Sequence, residues 1–105
     1  MKSIKIYYIL WTHERVETEI VDEYPESTAY FEAQVSMMTT DYKKAESYLK
    51  EIIRSTRNSC DYEEQVNSEK YWQGHYEILY CNGTHDKYYI RQSNVIIPEQ
   101  NEELA

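Results

Sequence analysis

Thr12 to Ser27 reads THERVETEIVDEYPES, and where the chain turns within it decides how many strands precede the helix. On its N-terminal side, Ser3 to Trp11 alternates Ile4, Ile6, Tyr8 and Leu10 with Lys5, Tyr7, Ile9 and Trp11. One face is wholly apolar and the other partly so, which predicts an interior strand whose core side is the even-numbered one. THER is polar and short, the length of a hairpin connection, so a first turn is expected at residues 12–15. RVETEIV then resumes strand character, with Val16, Thr18 and Ile20 on the core face and Glu17, Glu19, Val21 and Glu23 on the other. Pro25 lacks an amide donor and disfavours helix at Tyr24, so a second turn is expected at YPES.

Beyond it a third strand is expected, with Ala29, Phe31, Ala33, Val35 and Met37 on one face and Tyr30, Glu32, Gln34 and Ser36 on the other. The period then changes. Tyr42, Ala45, Leu49, Ile52, Ile53 and Thr56 recur at steps of three and four, predicting a helix from about Asp41 to Arg57 with Thr39 and Thr40 as caps. After the polar connector DYEEQVNSE, KYWQGHYEILYC reads as one strand and KYYIRQ as the next, with a turn at Asn82 and Gly83. NVII, before Pro98, leaves room for one more short strand. The expected fold is α+β: a single domain over residues 1–97, an antiparallel sheet in the order β-β-β-α-β-β, and one amphipathic helix on one face. PEQNEELA, residues 98–105, is expected to be an acidic disordered tail.

A chain of 105 residues has room for one core. Its two cysteines, Cys60 and Cys81, are too few for a disulfide framework and are expected to be thiols. The N-terminal apolar run is interrupted by Lys2, Ser3 and Lys5, and nowhere do about 18 apolar residues run together. The expected location is the cytoplasm, that of the host if the chain is phage-encoded. Net charge is −8, distributed as −4 over residues 1–40, +2 over 41–58 and −6 over 59–105. An acidic surface repels nucleic acid and lipid headgroups and attracts basic protein surfaces.

Twelve tyrosines stand against one phenylalanine, which favours half-wet positions and interfaces over a dry core. Tyr7, Trp11, Tyr30, Trp72 and Tyr89 are expected on the face away from the core or in connectors. With Glu17, Glu19, Glu23 and Glu32, the first three of these aromatics form the expected partner-binding set. The function this implies is a small acidic inhibitor without catalysis, docking carboxylates and tyrosines on the basic, nucleic-acid-binding surface of a partner protein. Phage anti-CRISPR and anti-restriction proteins and nuclease immunity proteins share that size and charge.

Other readings compete with it. The chain could self-associate as an interaction module or homodimer without charge mimicry. A basic helix stripe, Lys43, Lys50, Arg54 and Arg57, could hold phosphates, though such side chains more often neutralise nearby carboxylates, and no direct nucleic-acid binding is expected. Cys81 with His85 or His75 could imitate a thiol–base pair or half a zinc site. Zinc sites generally show two such close pairs, so no metal or cofactor is expected. GxSxG, glycine-rich phosphate loops and HExxH are all missing from the sequence.

Overall fold

The computed structural model describes residues 2–59 and 65–98. Its elements are β1 (Lys2–Val21), β2 (Tyr24–Thr39), α1 (Tyr42–Arg57), β3 (Val66–Trp72), β4 (His75–Tyr80) and β5 (His85–Ile97). The five strands form one antiparallel sheet in the spatial order β2-β1-β5-β4-β3. The α+β class and the strand count agree with the sequence reading. The order along the chain does not, because two strands precede the helix and three follow it. Among the described residues no helix is long and apolar enough to cross a membrane. Cys60, connector residues 61–64 and all of the expected tail except Pro98 lie outside the described residues.

THER is not a turn. It lies in the middle of a 20-residue strand, with Thr12 paired to Ala33 on one side and to Lys87 on the other. A polar segment is stable there because both neighbouring strands satisfy its backbone, and Thr12 is buried. The first reversal comes at Asp22 and Glu23, both at positive φ (50° and 70°), between the paired residues Val21 and Tyr24. This is the two-residue primed turn that matches strand twist. Pro25 is the second residue of β2, an edge strand, where the missing amide on the outer side costs no ladder bond.

Two further boundaries differ from the expectation. KYWQGHYEILYC splits into β3 and β4 around Gln73 and Gly74, and NVII is the end of β5. Gly74 has φ +72°, and its carbonyl accepts a 2.8 Å hydrogen bond from the Ile90 amide. The turn at Asn82–Gly83 is present as read, with Gly83 at φ +89° and the Asn82 side chain accepting from the Thr84 amide at 2.9 Å.

The helix matches its period. Asp41, not Thr39 or Thr40, is the N-cap: its carboxylate accepts from the Lys43 amide at 3.0 Å, while Thr39 Oγ1 accepts from the Asp41 amide. Ala45, Leu49 and Ile53 are buried, and Leu49 and Ile53 form one cluster with Ile9, Tyr76 and Ile78. Arg54 and Arg57 in the last turn complement the helix dipole.

The core cluster fixes which face the helix covers. Ile9 faces it, and so therefore do the odd-numbered residues of β1. The wholly apolar even-numbered face, carrying Ile4, Ile6, Tyr8 and Leu10, is the open one, opposite to the expectation. A bulge also corrects β2: Ile9 pairs with Met37 and Leu10 with Val35, leaving Ser36 as the extra residue. Met37 therefore packs under the helix while Val35, Ala33, Phe31 and Ala29 lie on the open side.

Candidate interaction surface

β1 pairs with β5 over Lys2–Glu14 and with β2 over Tyr7–Val21. Past Glu14 only β1 and β2 remain, so Arg15–Val21 and Tyr24–Tyr30 form a two-stranded ribbon projecting from the five-stranded body. A 20-residue strand at about 3.3 Å per residue spans about 66 Å, which accounts for the 66 Å long axis of the molecule. Every residue from 14 to 36 is exposed.

Pairing about the Asp22–Glu23 turn sorts this arm into two unlike faces. One carries Arg15, Glu17 and Glu19 of β1 beside Tyr30, Thr28 and Glu26 of β2, because antiparallel partners share a face. The other carries Val16, Thr18 and Ile20 beside Ala29, Ser27 and Pro25. Residues 14–32 hold seven acids and one base. Arg15 is bound in place by Glu17 at 2.9 Å and stacks over the Tyr30 ring at 5.0 Å. At the root of the arm, His13, Arg15, Tyr30 and Glu32 line a depression of about 250 Å³. Glu19 stands directly opposite Glu26, a like-charge cross-strand pair that disfavours the ribbon.

Of the seven residues expected to bind a partner, Glu17, Glu19, Tyr30 and Glu32 come together on this face, and Glu23 sits at its tip. The face lies on the helix side of the sheet, not the side away from it, but beyond the helix. Tyr7 and Trp11 do not join an open surface. They are half-buried on the helix side, Tyr7 against the Tyr42 ring at 5.3 Å and Trp11 against His13 at 5.6 Å. Glu26 was missed, since a turn placed at YPES hides its position opposite Glu19. Placing the turn at Asp22–Glu23 would have found it.

The basic helix stripe is partly engaged. Arg54 meets Glu51 at 2.9 Å, and the Arg57 guanidinium grips the Glu69 carboxylate at 2.5 and 3.1 Å. Tyr76, fully buried, donates to the same carboxylate at 2.7 Å. With Ile53, Asn58 and Tyr71, the stripe residues Lys50, Arg54 and Arg57 line a groove of about 370 Å³.

On the open face of the body, Glu77 gathers three cations or potential cations: His85 at 3.2 Å, His75 at 3.4 Å and Lys87 at 3.8 Å. His75 is stacked on Trp72 at 3.8 Å and meets the Tyr89 ring edge-on at 4.5 Å. Burial lowers its pKa, outweighing the opposing pull of Glu77, and its Nε2 lacks an aligned hydrogen bond. Cys81 is an exposed free thiol in the following turn. Among the described residues no three His, Cys, Asp or Glu side chains are grouped to hold a metal ion. Compared with protein families, curated proteins and solved structures, the chain matches none.

Proposed function

We propose that this chain is a binding protein without catalytic activity, and that the acidic face of its hairpin arm docks on a basic surface of a partner protein. The observation that carries the reading is the Glu19–Glu26 pair on an exposed ribbon, flanked by Glu17 and Tyr30 and ending in Asp22 and Glu23. Among the described residues no cation is paired with Glu19 or Glu26; such opposed carboxylates destabilise the ribbon when it is alone, and a basic partner turns that repulsion into attraction. Glu19 and Glu26 stand about 5 Å apart across the ladder and Glu17 about 6.6 Å from Glu19 along β1, a closer set of three carboxylates than one strand supplies. A groove built for a phosphate backbone is the basic surface that such an array fits best, which favours inhibitors of the anti-CRISPR, anti-restriction or nuclease-immunity kind.

Tyr30 adds a stiff aromatic contact, with the Arg15 guanidinium over its ring. The test uses the protein as bait in a host lysate, beside a Glu17→Gln, Glu19→Gln, Glu26→Gln variant. Nucleic-acid-binding proteins recovered by the wild type, lost with the variant and displaced by a DNA duplex are the expected outcome. Recovery of the same proteins by both baits, unaffected by DNA, would overturn the proposal.

A further inference from the structure

The helix covers one face of the sheet, and among the described residues nothing covers the other. That other face is the more apolar. It carries Ile4, Ile6, Tyr8 and Leu10 along β1 and continues onto the arm through Val16, Ile20 and Phe31, the last three 58, 79 and 65% exposed. A compact chain of 12.7 kDa exposes about 6,200 Å², whereas this one exposes 8006 Å². The difference, about 1,800 Å², is shared between both faces of the exposed arm and the open face of the body, and a standard stable interface takes roughly 800 Å² from each partner.

We infer that the open face is covered by a second copy of the same chain, in a two-fold dimer in which each arm lies across the open face of the other copy's body. The inference is independent of the proposed docking, because it uses the opposite face of the arm and leaves the Glu17, Glu19 and Glu26 side free. Two features select a second copy over another occupant. The face is long, with apolar stretches towards both ends, Ile4, Ile6, Tyr8 and Leu10 on the body and Val16, Ile20 and Phe31 on the arm, about a polar middle at Thr12 and Glu14. A surface of the same length and pattern matches it, and sheet-on-sheet packing with both helices outside supplies one. It is also electrically polarised: the arm end carries the net charge of −6 of residues 14–32, while the opposite end, residues 2–10 of β1 with 91–97 of β5, holds Lys2, Lys5 and Arg91 and no acid. A two-fold axis near Thr12 sets each acidic arm over the other copy's basic end, across a separation comparable to the roughly 8–10 Å screening length. Nucleic acid would meet the acidic arm on the same face.

Sedimentation equilibrium of the full chain, over a range of micromolar concentrations, tests this. The expected mass is about 25 kDa, twice that of the chain, and it persists at high salt because apolar area dominates the contact. Val16→Lys with Phe31→Lys places charges on the arm's open side, outside the core cluster. This variant is expected to keep the circular dichroism of the wild type while its dimer dissociates at least about tenfold more readily. The Glu17→Gln, Glu19→Gln, Glu26→Gln variant should remain a dimer, so failure here and failure of the docking proposal are told apart. A wild type that is monomeric throughout, whether it binds an oligonucleotide, a vesicle or nothing, would overturn the inference. So would a folded lysine variant that dimerises as well as the wild type.

Discussion

Trp72 and Tyr89 hold His75 between them, and the resulting burial keeps its imidazole neutral to lower pH than an exposed histidine. With the folded pKa below the unfolded value of 6.5, the unfolded chain takes up the proton first. Stability from this site is complete above about pH 6.5 and declines as pH falls towards the folded pKa. Urea unfolding of the wild type and of His75→Phe, compared at about pH 7 and pH 5, should show the larger acid-induced loss in the wild type. Equal losses would show that His75 is not desolvated. Gly74 is a second residue with a definite consequence. At φ +72° a Cβ is strained and would sit 3.3 Å from Tyr42 Oη, so Gly74→Ala should cost about 1–2 kcal/mol and lower Tm by several degrees. Tyr88, pushed up to about 12 by burial and then by Asp86 and Tyr80, stays a neutral phenol throughout the physiological range.

At the scale of elements, what the sequence revealed depended on whether one residue pattern had one physical cause. The helix did: steps of three and four from Tyr42 to Thr56 arise from a single buried stripe, and Ala45, Leu49 and Ile53 are indeed the residues it buries. The long hairpin did not. THER reads as a turn because polar residues usually mean water, but Thr12, His13 and Glu14 are flanked by strands on both sides. The true turn, Asp22–Glu23, contains no glycine, asparagine or proline to announce it. A glutamate at φ 70° is strained by roughly 1–2 kcal/mol, and its place at the tip of an acidic arm accords with a role for its charge. Glu23→Gly should therefore tighten the ribbon, seen as slower amide exchange in Arg15–Val21, while weakening association with a basic partner. Faster exchange would mean that the turn is not the strained point. The register mattered as much as the elements: moving one turn from YPES to Asp22–Glu23 is what brings Glu26 to Glu19 and so assembles the candidate site.

For the whole molecule, the alternation of β1 showed which face needs cover but not what provides it. Ile4, Ile6, Tyr8 and Leu10 form the better apolar face, yet Ile9 is the residue under the helix. The helix goes where its own stripe can meet Ile9, Tyr76 and Ile78, and that leaves the richer face without cover among the described residues. The body thus offers one layer of sheet and one helix in a thickness of about 20 Å, with an arm whose acidic side and apolar side point in opposite directions. In the two proposals made above, the apolar side takes a second copy and the acidic side a basic partner.

The most direct test of that account is the association rate between the chain and a nucleic-acid-binding protein captured by it, measured from low to high salt for the wild type and for Glu17→Gln, Glu19→Gln, Glu26→Gln. Docking through the acidic face requires a wild-type rate that falls by about tenfold or more as ionic strength rises, and a variant that is slow and nearly insensitive to salt. Equal rates for the two proteins, with no dependence on salt in either, would contradict it.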